Sequence, residues 1–137
     1  MSLSEEDHRK IKGLCSFGDR LAKSKRYGDA KEKYLEALKV IPNPRENYEA
    51  ATWVYVAIGD MNFHSHQYEQ MKKSFSSAAE CPDGLGNPYI HLRLGQCSFE
   101  LGNLELAVEE LTRAYMGGGA EIFEEDDPKY LQSSVAI

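Results

Sequence analysis

At 137 residues with 42% hydrophobic side chains, the chain can bury one sizeable core, and its composition fits a single domain of stacked amphipathic helices. Its formal charge of −6 divides into +2 over residues 1–50 and −8 over residues 51–137, so no broad basic face exists to release phosphate counterions, which excludes nucleic acid as a partner. Three cysteines without close spacing, Cys15, Cys81 and Cys97, argue for a reducing compartment, and a polar start with no apolar run near the roughly 18 residues of a membrane span predicts a cytoplasmic protein with no membrane association.

Ser4 with Asp7 predicts a capped, extended first helix, and Arg20, Lys23, Lys25 and Arg26 near its end place cations where they complement the helix dipole. Tyr27, Ala30, Tyr34 and Ala37 recur at helical spacing and predict a second helix. In the stretch that follows, Asn43 can cap, Pro44 suits a first helical position, and Glu46 completes a capping-box-like arrangement. The third helix is therefore expected to begin about two turns ahead of its apolar pattern. Ile58-Gly59 lies in that helix, and Tyr68, Met71, Phe75 and Ala78 mark a fourth. Asn87-Pro88 opens a fifth, with Leu94-Gly95 inside it, and Leu104, Ala107, Leu111 and Ala114 mark a sixth. Gly117-Gly118-Gly119 ends it, Ile122 and Phe123 anchor a crossing segment, and Asp127-Pro128 starts a short terminal helix. Tyr130, Leu131 and Val135 of that helix are expected to cover the last unit.

One pattern thus occurs three times: an apolar residue and a glycine, then nine residues after the glycine an aromatic or leucine, then alanines. Gly18, Gly59 and Gly95 lack a Cβ and let a facing helix approach, a reason that offsets the roughly 1 kcal/mol a helical glycine costs relative to alanine. The glycines are 41 and 36 residues apart. In these residues the chain resembles the tetratricopeptide repeat family, whose unit of about 34 residues carries a small residue, an aromatic or leucine and two alanines at those offsets. Units would begin at Ile11, Thr52 and Pro88; Met71 replaces an alanine in the second, and His91 takes a large aromatic position in the third. The resemblance implies an all-α, right-handed helical-repeat solenoid. Its repeats would span 1–43, 44–86 and 87–119, with a cap over 120–137.

Catalytic constellations are scarce. His64 and His66 stand two apart and face different sides of a helix, and no Cys or carboxylate completes a metal site with them. His91 reads as a hydrogen-bonded, partly buried histidine, and Cys15 as a small partly buried residue with no base at hand. The run Glu124-Glu125-Asp126-Asp127 lacks the regular oxygen-ligand spacing of a calcium loop and reads as a helix cap. No phosphate-binding loop, hydrolase elbow or paired-acid signature occurs, so neither an enzyme nor a cofactor is expected.

The resemblance also implies a concave face. Carried over position by position, its candidate partner-binding residues are Asp19 in the first unit; Trp53, Val56, Asp60 and Phe63 in the second; and Tyr89, Arg93, Gln96 and Phe99 in the third. Aromatic residues there offer contact area to a peptide or protein segment, with Arg93, Asp19 and Asp60 setting charge register, unless the extended helices or the terminal segment cover them. The clamp with which family members hold the C-terminal carboxylate of heat-shock chaperones maps to Cys15, Asp19, Ala57, Tyr89 and Arg93, of which only the arginine is kept, so that role is excluded. The expected function is a non-enzymatic protein-interaction module. A homodimer built around Trp53 is one alternative. The ending Gly-Gly-Gly-Ala-Glu-Ile-Phe-Glu-Glu-Asp-Asp-Pro-Lys-Tyr supplies another, since it looks like bacterial repeat proteins encoded beside toxin genes and implies an immunity or adaptor role.

Overall fold

The computed structural model describes residues 2–134, so the expectation for Val135 lies outside the described residues. The fold is all-α, with no strand among the described residues. Among the described residues seven α-helices follow in order: α1 Glu5–Lys23, α2 Tyr27–Val40, α3 Glu49–His64, α4 Tyr68–Ala79, α5 Pro88–Glu100, α6 Leu104–Gly118 and α7 Pro128–Gln132. Short 3-10 turns lie at Arg45–Asn47 and Ala120–Phe123.

Neighbouring helices pack as pairs, α1 with α2, α3 with α4 and α5 with α6, and the pairs meet chiefly through α4 against α5 and through α3 against α1 and α2. Each pair closes on a glycine. A Cβ added at Gly18 would stand 2.6 Å from Cε1 of Tyr34, one at Gly95 2.6 Å from Cγ of Leu111, and one at Gly59 2.7 Å from Cδ2 and Cζ of Phe75. Those large partners are at most 1% exposed, so the bare glycine backbone is what lets each ring or branched chain fill the pair's centre.

The turns inside the pairs also repeat. Lys25, His66 and Gly102, each seven residues after its glycine, adopt φ of 63°, 61° and 86°. In each case the next amide reaches back across the helix end, Arg26 to the Leu21 carbonyl at 2.9 Å, Gln67 to Asn62 at 2.8 Å and Asn103 to Ser98 at 2.9 Å. This left-handed closure satisfies carbonyls that the helix end would otherwise leave bare. Only the third unit places a glycine where the backbone asks for one.

Caps hold the starts. Ser4 Oγ accepts from the Asp7 amide at 3.1 Å, Asn87 Oδ1 from Tyr89 at 3.0 Å and Asp127 Oδ1 from Lys129 at 2.9 Å, each contributing about 1 kcal/mol. The early start expected for the third helix does not occur. Asn43, Pro44 and Glu46 lie in a connection that includes the 3-10 turn, and α3 begins only at Glu49, behind an extended Tyr48 at φ −114°, ψ 131°. Tyr48 and Ile41 are buried in the core between α1, α2 and α3, and Arg45 Nε donates to the Leu38 carbonyl at 2.9 Å. Burying Tyr48 requires an extended backbone, and its long-range contacts outweigh the local cap signals. Further along, Thr52 Oγ1 donates to the Pro82 carbonyl at 2.7 Å, tying the connection after α4 to the start of α3.

Candidate functional site

The helix pairs leave an open cleft of about 700 Å³ between the C-terminal half of α1 and one face of α3. Its floor carries Val56, Ala57 and Met61; Asp19 and Asp60 stand along it, and Lys23, Lys25 and His64 line one end. Trp53 is 37% exposed beside it, with His8 edge-on at 5.4 Å and the Lys12 ammonium 5.9 Å from the ring centre. Four residues of the sequence-predicted site, Asp19, Trp53, Val56 and Asp60, are therefore brought together on accessible surface.

Two of their carboxylates are already engaged. Asp19 accepts from the Tyr34 hydroxyl at 2.6 Å; burial, reinforced by that bond, drives the Tyr34 phenol far above its ordinary value. Asp60 accepts from the Tyr89 hydroxyl at 2.6 Å and from Arg93 Nε at 3.0 Å. Burial pushes the Asp60 carboxyl up, and Arg93 and Tyr89 offset part of that rise.

The rest of the predicted surface is packed against the chain itself: Arg93 and Gln96 are buried, and Phe63, Tyr89 and Phe99 are partly buried. Arg93 is buried between two carboxylates, Asp60 and Asp126, the latter 3.2 Å from Nη1. Its guanidinium lies 4.3 Å from the Phe63 ring centre and 5.0 Å from that of Tyr89. Burial alone would lower the guanidinium, but Tyr89, Asp60 and Asp126 outweigh it, so Arg93 is held firmly charged. Gln96 is fully buried, accepting from Arg93 at 2.9 Å and donating to Asp126 at 2.8 Å. Phe99 packs edge-on against Tyr130 at 5.6 Å, and Phe63 meets the same ring at 6.4 Å. Tyr89, Arg93, Gln96 and Phe99, expected to meet a partner, instead meet the chain itself, with Arg93, Gln96 and Phe99 covered by residues after α6.

That covering segment holds the residues the sequence did not single out as a site. Asp126 was read only as part of a capping run, although Asp127 does the capping. Tyr130 donates to Glu100 at 2.8 Å, and the Lys129 ammonium lies 2.8 Å from the same carboxylate. Burial and then Glu100 raise the Tyr130 phenol well beyond its ordinary value. Burial would raise Glu100, but the bonds from Lys129 and Tyr130 outweigh it and hold the carboxyl below 4.5.

The remaining candidates are placed apart from both surfaces or beside the cleft without activation. His91 is partly buried with Nδ1 2.6 Å from Glu110 Oε2, a structural pairing between α5 and α6. The Cys15 thiol is pushed up to about 11 by burial and then by Asp19, so it stays protonated at neutral pH. Among the described residues, no cluster of His, Cys, Asp and Glu is arranged to hold a metal ion, and no helix is long and apolar enough to cross a membrane. Compared with known protein families, curated proteins and solved structures, the chain matches none.

Proposed function

We propose that the three helix pairs form a right-handed solenoid of tetratricopeptide-like repeats, and that the chain is a non-enzymatic, cytoplasmic interaction module that takes an extended partner segment in the cleft between α1 and α3. The observation that carries this reading is the open 700 Å³ cleft with a large aromatic, Trp53, exposed at its side. The recurrence of glycine contacts and left-handed turns at equal offsets supports a stack of like units. A cleft of this size with an apolar floor and a few fixed polar groups suits recognition. Its carboxylates serve as oriented acceptors rather than as catalytic acids, since each is bonded to a phenol.

The test is titration of parent and variants against the partner recovered by pull-down from the native host. Trp53→Ala should weaken binding by more than about 1 kcal/mol, as expected of an aromatic anchor. Lys33→Ala is the control, because Lys33 pairs with Glu36 and covers Phe17 outside the cleft. Equal affinity of Trp53→Ala and parent would refute the cleft as the binding surface.

A further inference from the structure

The segment after α6 is docked much as a ligand would be. Asp126 offers one carboxylate oxygen to two side chains of α5, Arg93 and Gln96, which are 7% and 0% exposed. Four residues later, Tyr130 sits against both Phe63 and Phe99, and its hydroxyl has an acceptor waiting in Glu100. An anion hole made of buried donors, beside an aromatic slot with a polar end, is a built recognition site.

Its present occupant has little helix of its own and is held by Phe123 and Tyr130, 3% and 4% exposed in the cluster with Leu92 and Leu111. α7 is five residues long, far below the length at which a helix is stable alone, and it follows Gly117-Gly118-Gly119, where Gly119 takes φ 69°. The segment is thus held by what it docks on and by tethering, which supplies an effective concentration on the order of millimolar. Against a tether of that strength a free segment with the same groups reaches half-occupancy only near that same millimolar concentration, so a displacing partner must bind more tightly than the chain's own segment.

We propose that this face of α3 and α5 is a second binding site, for a polypeptide segment bearing a carboxylate with a tyrosine four residues on, and that such a partner binds by displacing residues 120–134 of the chain itself. The site adjoins the open cleft through Asp60, which lines the cleft and pairs with Arg93, but Trp53 belongs to the cleft alone and Asp126 and Tyr130 to this face alone, so variants at those residues let either reading fail without the other.

The probe is a labelled synthetic peptide with the sequence of residues 120–134, titrated into the full-length chain. A Y130A/D126N chain, whose own segment is weakened, should bind it at least about tenfold more tightly than the parent, because the competing closed state is depopulated. Adding Arg93→Gln should abolish that gain, and a peptide carrying the same two substitutions should not bind. A weakened chain that binds no better than the parent overturns the proposal. Should circular dichroism show that this variant is unfolded, amide exchange on the parent decides. Excess peptide should speed exchange of residues 120–134 several-fold and leave α1–α4 unchanged, and an unaltered exchange pattern overturns the proposal. A parent chain that dimerises with rising concentration, with the segments exchanged between copies, overturns the choice of partner in favour of a second copy.

Discussion

Gly59→Ala gives the most direct check on how the helix pairs are held. A Cβ at this position would stand 2.7 Å from two carbons of Phe75 and nearer still to Cε2, and Phe75 is 0% exposed, so its ring has nowhere to retreat. Overpacking costs about 1–3 kcal/mol, and so close a contact with a ring that cannot move belongs to the upper part of that range, about 2–3 kcal/mol; alanine in a helix recovers roughly 0.5–1 kcal/mol over glycine, so the net loss should be about 1–2.5 kcal/mol. For a chain of this size that lowers Tm by about 3–8 °C. Gly13, likewise inside a helix (α1) but with nothing within 4 Å of its added Cβ, is the matched control for Gly59 in α3. Gly13→Ala should raise Tm by a few degrees, since only the propensity effect operates there. Thermal denaturation followed by circular dichroism reads both. Pairing Gly59→Ala with Phe75→Leu should recover about 1 kcal/mol of the summed losses, because the two sites compete for one space. If Gly59→Ala stabilised the chain as Gly13→Ala does, the glycine would not be a contact point.

Lys25→Gly should stabilise by roughly 0.5–1 kcal/mol, since it relieves a non-glycine residue at φ 63°, whereas Gly102→Ala at the equivalent turn should cost about 1 kcal/mol; equal signs would refute the shared left-handed turn. Burial lifts the thiols of both Cys15 and Cys97 to about 11, against an ordinary 9.0, so native alkylation at pH 8 should be on the order of a hundredfold slower than after denaturation, and fast native labelling would contradict it. Glu100 is held below its ordinary 4.5, so its bonds to Lys129 and Tyr130 stabilise the docked segment above that pH and are lost as pH falls through the lowered value. Amide exchange of residues 120–134 should accelerate below about pH 4.5, the ordinary value of this carboxyl, ahead of α1–α4, and Glu100→Gln should remove that step. His66 and Tyr68 face the same carboxylate, so a step that survives Glu100→Gln assigns it elsewhere.

The parts of the fold that were legible in the sequence are those specified within a few residues. Ser4, Asn87 and Asp127 cap their helices through their own neighbours, and the glycine-to-partner offset lies inside one helix pair. Asn43 carried an equally good local signal and failed, because the burial of Tyr48 is a tertiary fact that local chemistry does not contain. The candidate surface shows the same division. Position counting placed Asp19, Trp53, Val56 and Asp60 along one accessible cleft. It could not show that Asp126 would fold back onto Arg93 and Gln96, 33 and 30 residues away, because a carboxylate in an acidic run looks alike whether it caps, binds or faces water.

The buried arginine explains why the two halves of this surface differ. An ion pair taken out of water adds little net stability, since desolvation consumes most of the attraction, but losing one partner is costly. Arg93 therefore does more to choose what docks beside it than to hold the fold together. Moving the docked segment one unit toward the N-terminus, by the 36-residue spacing, would put Ala57 where Arg93 stands and Asp60 where Gln96 stands. The Asp126 carboxylate would then face Asp60 with no guanidinium in the place of Arg93, although Lys23 and Lys25 line the same cleft, and Ala22 would replace Phe63 in the aromatic slot by the 41-residue spacing. The open cleft thus lacks the buried guanidinium and one of the two rings that the neighbouring face offers to the segment. That mismatch accounts for the segment lying on α5, over the last helix pair, rather than along the cleft.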